Sequence, residues 1–225
     1  MLKLIPLLLI FTFFSCGNDA ETSNPSVPTA PNSESKSQRI IFFGDSLTAG
    51  YGLVDYEKAW PHLIVARLKK EGYTFEITNA GVSGDTSSGG LGRLDWVLSQ
   101  KPNIFVLELG ANDMLRGITP KVTRDNLATI LRTVKKTYPN CEILLIGMKS
   151  TPNLGSKYRD EFDAIYPDLA KSENVMLVPF LLEKVASDRK LNQKDGIHPT
   201  EEGHVLVSES VYPYLKKLAK KVQVR

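Results

Sequence analysis

Short apolar runs separated by helical patterns dominate the chain from residue 39 onward. The runs are continuous rather than alternating, and they occupy residues 40–43, 75–77, 104–109, 143–146 and 175–178. Continuous runs of this length indicate strands that are buried on both faces. Between them, helical spacing predicts helices over residues 60–68, 91–98, 122–136, 158–170 and 203–219. Alternating strands and helices predict an α/β protein, in which about five parallel strands carry helices on both faces.

The N-terminal segment has a different pattern. Lys3 precedes an apolar run over residues 4–14 that is too short to span a bilayer. Such a run, followed by small residues, is typical of a cleaved export signal. Cys16 stands where the run ends, directly after a small residue, and this resembles the lipobox of bacterial lipoproteins, in which the cysteine becomes a lipid-bearing N-terminus. The alternative is an ordinary secretory signal with an incidental cysteine.

Residues 17–38 connect this signal to the remainder of the chain. They are rich in Ser, Asn, Pro and Thr and contain almost no large apolar residue, so they cannot bury enough surface to offset their chain entropy. We interpret them as a flexible tether. The predicted organisation is a signal over residues 1–16, a tether over 17–38 and one domain over 39–225. The predicted location is a membrane surface on the periplasmic or outer side, or the periplasm or medium if Cys16 carries no lipid.

Composition and charge exclude some classes of partner. The chain is 42% hydrophobic and 24% charged, as expected for an ordinary globular domain. Its net charge of +3 is spread along the sequence, so we expect no nucleic-acid partner. Cys141 is the only cysteine besides Cys16, which leaves no disulfide within the domain. We interpret Cys141, which opens an apolar run, as a small buried packing residue.

Glycines and short polar residues follow the predicted strands. Residues 44–47 follow the first strand, residues 79–86 the second and residues 110–113 the third, and a further polar loop spans residues 195–199. In an open α/β sheet, ligands bind beyond the carboxyl ends of the strands. These segments therefore predict the position of the functional site.

Ser46, His198 and Asp195 fit a catalytic triad. A serine hydroxyl is a weak nucleophile that needs an adjacent base, and His62 and His204 lie inside predicted helices, where we assign them packing or surface roles. Asp195 precedes His198 by three residues, so its carboxylate can orient one ring nitrogen and leave the other free. The same pair could be a metal fragment or a plain turn, but a zinc site would need further His or Cys ligands. We predict neither a metal nor a cofactor.

An oxyanion formed during acyl transfer needs fixed hydrogen-bond donors. The backbone amides of Ser46 and Gly81 and the side chain of Asn112 are the candidates, and a glycine lets the backbone approach a substrate closely. The alternatives are a simple turn glycine at position 81 and an Asx turn at Asn112.

These four segments resemble those of the SGNH hydrolases, whose name lists Ser, Gly, Asn and His, here Ser46, Gly81, Asn112 and His198. A branch of that family, the thioesterase I / arylesterase / lysophospholipase L1 group, is similar over residues 44–51, 59–61, 106–110, 112–113, 115–117 and 164–167. The resemblance covers residues 39–218. It implies a three-layer, flavodoxin-like fold, a Ser-His-Asp triad without metal, and activity on medium-to-long acyl esters or thioesters. Ala111 departs from the glycine that the branch often has there.

The resemblance also implies substrate contacts. Asp45 belongs to the nucleophile segment, and Met114, Leu115 and Ile118 lie in a loop that matches the acyl groove of the branch, although ordinary core packing is the alternative for each. The predicted function is an acyl-ester hydrolase, for which a membrane tether would favour lipid substrates. A glycan or other short-chain deacetylase and a non-catalytic surface-binding lipoprotein are the alternatives, and no oligomeric state is predicted.

We expect labelled fatty acid to enter the wild-type protein in its native host but not Cys16→Ala. Acyl chains contribute about 0.8 kcal/mol of membrane affinity per buried methylene, and stable anchoring takes more than one chain. The variant should therefore move from the membrane fraction to the soluble fraction, as measured by fractionation and immunoblotting. An unlabelled and already soluble wild-type protein would mean that residues 1–16 are an ordinary secretory signal.

Overall fold

A five-stranded parallel sheet forms the centre of the domain. The computed structural model describes residues 38–224. Its strands are β1 (Gln38–Gly44), β2 (Phe75–Gly81), β3 (Ile104–Glu108), β4 (Glu142–Ile146) and β5 (Met176–Val178). They pair in the order β2-β1-β3-β4-β5, and every neighbouring pair is parallel. This is the flavodoxin-like doubly wound order, and it confirms the predicted fold class.

Helices connect the strands. In chain order they are α1 (Ser46–Ala49), α2 (Trp60–Lys70), α3 (Ser87–Leu98), α4 (Ala111–Leu115), α5 (Pro120–Thr137), α6 (Ser156–Asp163), α7 (Ile165–Ser172) and α8 (Glu201–Gln223). Two short 3₁₀ helices cover Tyr56–Lys58 and Pro152–Leu154. Within the described part of the chain, no helix is long and apolar enough to cross a bilayer.

Consecutive residues of β1 show the three layers. The ring of Phe42 lies edge-on to Trp60 of α2, with 5.2 Å between centroids, whereas the guanidinium of Arg93 on α3 lies 4.2 Å from the centre of the Phe43 ring. Side chains alternate between the faces of a strand, so α2 and α3 cover opposite faces of the sheet. Helix α8 packs beside α2, and α5 packs against α3 and α7. The sheet is therefore covered on both sides, which explains the continuous apolar runs.

The helix predicted over residues 158–170 is in fact two helices that meet at Ala164. In a continuous helix, the amide of Pro167 would be the donor to the carbonyl of Asp163, but proline has no N–H and its ring crowds that carbonyl. Helix α6 accordingly ends at Asp163, and Pro167 lies in the first turn of α7. Helical periodicity alone could not detect this break.

One further expectation concerns the start of the domain. Strand β1 begins at Gln38, the last residue of the predicted tether, while Cys16 and residues 17–37 lie outside the described residues.

Cys141 is half-buried and packs against the core. Burial, together with the nearby Glu142 carboxylate, raises the pKa of its thiol to about 12, so Cys141 remains a neutral packing residue at ordinary pH.

We expect Gly147→Ala to lower the free energy of unfolding by about 2 kcal/mol, in the range of overpacked buried positions. A Cβ at this position would lie 2.2 Å from the backbone oxygen of Pro179, and backbone cannot move aside as a side-chain tip can. The control is Gly92→Ala on α3, where an added Cβ meets nothing within 4 Å. It should gain up to about 1 kcal/mol of helix propensity. Urea unfolding measures both variants, and an equal loss in the two would contradict this packing analysis.

Candidate active site

The turn after β1 carries Ser46 to the carboxyl edge of the sheet. Asp45 caps α1, because its Oδ1 accepts a hydrogen bond from the amide of Leu47 at 2.9 Å. Ser46 is the first residue of α1 and is only 7% exposed. Its hydroxyl thus occupies a fixed position at the end of a buried strand.

The three predicted triad residues lie in one hydrogen-bonded row. Nε2 of His198 is 2.8 Å from Oγ of Ser46, and Nδ1 of His198 is 2.8 Å from Oδ2 of Asp195. The other Asp195 oxygen accepts the amides of Ile197 and His198 at 3.0 and 3.1 Å. Partial burial opposes the charge of Asp195, but these amides and the imidazole outweigh it and lower the pKa of its carboxyl group. Asp195 is therefore held as a carboxylate against the ring of His198.

Hydrogen bonds of Gln193 and a ring contact of Tyr51 hold the loop that carries His198. The amide of Gln193 donates to the carbonyl of His198 at 2.7 Å, and Nε2 of Gln193 donates to the carbonyl of Tyr51 at 2.6 Å. The ring of Tyr51 also lies against the imidazole of His198, with 4.6 Å between centroids. These contacts fasten the loop to the segment that follows α1, so His198 stays beside Ser46.

Asn112 joins the ends of three strands. Its Nδ2 donates to Oδ2 of Asp45, which follows β1, and to the carbonyl of Asp85, which lies beyond β2; both distances are 3.0 Å. Asn112 itself follows β3, on α4. The neighbouring Asp113 is fully buried and accepts hydrogen bonds from the backbone amide and hydroxyl of Ser87 and from the hydroxyl of Thr123. The hydrogen bonds of Asn112 itself and those of its neighbour Asp113 therefore fix the orientation of Asn112.

The prediction for Gly81 is contradicted by the structure. Gly81 is the last residue of β2 and pairs in register with Gly44. Its amide donates to the side-chain oxygen of Asn79 at 3.0 Å, so it cannot serve a ligand without losing that bond, and Gly81 does not border the cavity beside Ser46. Gly84, three residues further along, does border it. The error arose because β2 extends four residues beyond its predicted end.

The carboxylate oxygens of Asp45, which was expected to contact substrate, are already hydrogen-bonded within the protein. Its side chain borders the cavity floor but is fully buried, and its two oxygens serve Leu47 and Asn112. Burial raises the pKa of this carboxyl group to about 6, although the hydrogen bonds that it accepts act in the opposite direction. The structure thus assigns the carboxylate to the support of the site.

A cavity of about 660 Å³ opens beside Ser46 and His198. Met114 and Leu115 border it, as predicted, with Met114 buried and Leu115 about half exposed. Ile118 does not border it; its carbonyl instead accepts a hydrogen bond from the hydroxyl of Tyr158. The apolar wall is completed by side chains that the sequence did not single out, namely Met148, Phe180, Leu182 and Ile197.

The remaining histidines lie outside this row of hydrogen bonds. His204 is buried, and its Nδ1 accepts the amide of Trp60 at 3.3 Å. Burial lowers the pKa of His204 to about 4, so it packs as a neutral ring. His62 is half-buried on α2. Across residues 38–224, no group of three or more His, Cys, Asp or Glu side chains is arranged to hold a metal ion.

Comparison with known proteins agrees with this geometry. Residues 42–206 match the GDSL-like lipase/acylhydrolase family. The chain is 40% identical to esterase TesA of Pseudomonas aeruginosa, over 82% of this chain and 91% of the relative. The chain belongs to the GDSL-like lipase/acylhydrolase family. This membership confirms the resemblance identified from the sequence.

A further relative and two solved structures are similar over most of the chain. The thioesterase 1/protease 1/lysophospholipase L1 of Escherichia coli is 38% identical, over 80% of this chain and 84% of the relative. A crystal structure of TesA superposes with a TM-score of 0.76 at 40% identity, covering 80% of this chain and 99% of that one. The psychrotrophic esterase EstA from Pseudoalteromonas superposes with a TM-score of 0.75 at 32% identity, covering 80% and 98%.

Besides the four apolar wall residues, sequence reasoning missed Gly84, Tyr51 and Glu108. Gly84 was missed because Gly81 was chosen as the backbone donor, although the loop of residues 82–86 after β2 contains both a glycine and polar residues. Tyr51 lies in a segment that resembles the branch, but its contact with His198 spans much of the chain and could not be predicted from the sequence. Glu108 did carry a signal: it is the only charged residue of an otherwise apolar strand, β3, and it is fully buried beside Asp45.

Proposed function

We propose that this protein hydrolyses acyl esters with Ser46 as nucleophile, His198 as general base and Asp195 as the group that orients the histidine. The observation that carries the proposal is the row of two 2.8 Å contacts from Asp195 through His198 to Ser46, at the wall of an apolar cavity. Family membership supports the ester-hydrolase class.

Acylation begins at the hydroxyl of Ser46. Its oxygen attacks the carbonyl carbon of the substrate while its proton passes to Nε2 of His198, and the Asp195 carboxylate stabilises the imidazolium that results. The tetrahedral intermediate then expels the alcohol or thiol, which takes the proton from Nε2. The acyl group stays on Ser46.

Deacylation repeats these steps with water. The water oxygen attacks the acyl carbon and its proton passes to His198. Ser46 then leaves with that proton, and the carboxylic acid is released.

Three donors are proposed to hold the oxyanion: the amides of Ser46 and Gly84 and Nδ2 of Asn112. Among the described residues, no protein acceptor takes the amide proton of Ser46 or Gly84, so both are available to a ligand at the cavity. Asn112 already makes two hydrogen bonds, and the oxyanion would have to replace or share one of them. Such donors contribute most where charge develops in the transition state.

The cavity supports a substrate with an apolar acyl chain. Its volume, about 660 Å³, is larger than an acetyl group needs, and most of its wall is apolar. The relatives are named esterase, arylesterase and thioesterase/lysophospholipase, which supports esters or thioesters of this kind. If Cys16 anchors the protein to a membrane as proposed, acyl lipids become the favoured natural substrates.

We expect chromogenic esters to be hydrolysed across a series from acetyl upward, with the highest kcat/KM at medium or long chains that fill the cavity. Ser46→Ala should lower kcat by several orders of magnitude, because removing the nucleophile of a triad removes its covalent route. Its melting temperature should stay close to that of the wild type. The measurements are initial rates over the series and thermal unfolding.

Ser210→Ala, a serine on α8 that bonds only within its helix, is the matched control and should keep full activity. A Ser46→Ala variant with most of its activity left would remove Ser46 from the mechanism. A wild-type preference for acetyl esters would instead favour a short-chain or glycan deacetylase.

We expect Asn112→Ala to lower kcat by about a hundredfold or more with little change in KM, because a donor to the oxyanion acts mainly in the transition state. The control is Asn103→Ala, whose side-chain oxygen accepts the amide of Arg39 at 2.8 Å, at the opposite end of β1 from Ser46. Steady-state kinetics separate the two parameters. A variant in which KM rises and kcat holds would reassign Asn112 to substrate binding.

A further inference from the structure

Two carboxyl groups meet beneath the turn that carries Ser46. Glu108 ends β3 and Asp45 follows β1, and both side chains are fully buried. They lie side by side, because Oε2 of Glu108 accepts the backbone amide of Asp45 at 3.2 Å. Among the ion pairs formed by residues 38–224, none includes either of them. Two adjacent buried carboxyl groups without a cation cannot both carry a full charge.

The hydrogen bonds indicate which group carries a proton. Each oxygen of Asp45 faces a donor: Oδ1 accepts from Leu47 and Oδ2 from Asn112. In Glu108, both donors face the same oxygen, Oε2, which accepts the amide of Asp45 at 3.2 Å and the hydroxyl of Thr48 at 2.7 Å. Oε1 of Glu108 is buried and faces no donor. An ionised Glu108 would leave this acceptor unsatisfied, at a substantial desolvation cost.

We propose that Glu108 is a protonated positioning residue, whose Oε1–H donates to the carboxylate of Asp45 and thereby holds Ser46 and Asn112 in place. The proton on Glu108 is inferred from its burial beside Asp45 and from its hydrogen-bond pattern. Its effect on turnover rests on the proposed function.

The surrounding charges agree with this assignment. Burial raises the pKa of Glu108 well above its usual range, and the charge of Asp45 adds to the effect. Two titratable side chains face the pair directly, Tyr166 on α7 and His198 in its loop. Asp113 on α4 faces Tyr166, and Arg93 on α3 pairs with Asp85. Arg93 bonds Asp85 and the carbonyl of Gly44, so it does not neutralise Glu108.

Glu108 is hydrogen-bonded to the turn of Ser46 on both sides of that residue. Its Oε2 accepts hydrogen bonds from the backbone amide of Asp45, directly before Ser46, and from the hydroxyl of Thr48, two residues after Ser46. The fit leaves no room beside it, because a Cβ on Gly44 would lie 2.5 Å from Oε2. Ionisation of Glu108 would repel the Asp45 carboxylate and weaken its bonds to Leu47 and Asn112. The pair therefore couples one proton to the positions of the nucleophile and of Asn112.

Glu108→Gln tests the proton directly. The amide keeps an acceptor oxygen and a donor in the same shape but cannot ionise. Because the carboxyl pKa is raised in the folded protein, the wild type holds a proton that the unfolded chain loses above about pH 4.5. Stability of the wild type relative to the variant must then fall as pH rises. We expect the ratio of their unfolding constants to change by up to tenfold per pH unit from about pH 6.5 upward, as long as Glu108 keeps its proton in the folded protein, measured by urea unfolding.

The control is Glu173→Gln, which removes a buried carboxylate paired with Arg132 at 2.7 Å. The difference in the free energy of unfolding between Glu173→Gln and the wild type should stay constant over the same pH range. Groups whose pKa does not depend on Glu108, such as His204, cancel in each comparison, and Asp45, whose pKa of about 6 does depend on it, is mostly ionised over this range. A constant offset for Glu108→Gln would overturn the proposal, because it would mean that Glu108 is ionised in the folded protein.

Infrared spectroscopy gives a second measurement. The C=O stretch of a neutral carboxyl group should be present in the wild type at pH 7, remain in Glu173→Gln, and be lost in Glu108→Gln. A band that survives in Glu108→Gln and disappears in Asp45→Asn would assign the proton to Asp45 and contradict the proposal.

Kinetics test the positioning role. Glu108→Gln should retain kcat within about twofold of the wild type, whereas Glu108→Ala should lose at least tenfold in kcat with little change in KM. Failure of the glutamine variant to rescue kcat, although it folds, would overturn the positioning role. If Ser46→Ala proved fully active, the proposed mechanism would fail, yet the pH-dependent offset and the infrared band would still establish the proton on Glu108.

Discussion

Hydrogen bonds of the Asp45 carboxylate hold together the strand ends that form the site. One oxygen caps the helical turn of Ser46, and the other accepts Asn112 from the end of β3. Strands β1 and β3 are neighbours in the sheet, and the chain leaves them in opposite directions, which opens a crevice between their ends. Polar groups can meet there without breaking the apolar core. The cavity, the nucleophile and the histidine loop all lie around this contact.

Local rules were sufficient for much of this arrangement. The five strands are visible in the sequence because a sheet covered on both faces selects continuous apolar runs. Ser46 and Asn112 were found because each follows a strand end that the parallel topology brings to one edge, and His198 because the other two histidines lie in predicted helices. Asp195 lies three residues before His198, so its contact is local and a turn could be expected from the sequence. The structure brings these residues together, and their roles in turnover remain predictions.

The misses have a common physical cause. Gly81 was chosen over Gly84 because the end of β2 depends on pairing with β1, which no local pattern encodes. Ile118 was assigned with Met114 and Leu115 because all three lie in a loop that matches the acyl groove of the branch, but Ile118 lies beyond the end of α4 and does not border the cavity. Phe180 and Ile197 join the apolar wall from a distant loop. Residues whose surroundings come from far along the chain cannot be assigned from their neighbours in sequence.

The separation of Ser46 and His198, 152 residues along the chain, has a consequence for biosynthesis. Chains emerge from the ribosome N-terminus first, so a nascent chain can present Ser46, Asp45 and Asn112 long before His198, the proposed base, has been made. His198 reaches the site only when the segment after β5 has been synthesised and has packed against Tyr51. Under the proposed mechanism, ester hydrolysis therefore reports that the chain has been made at least through His198 and has folded, and a product truncated before that residue would be inactive.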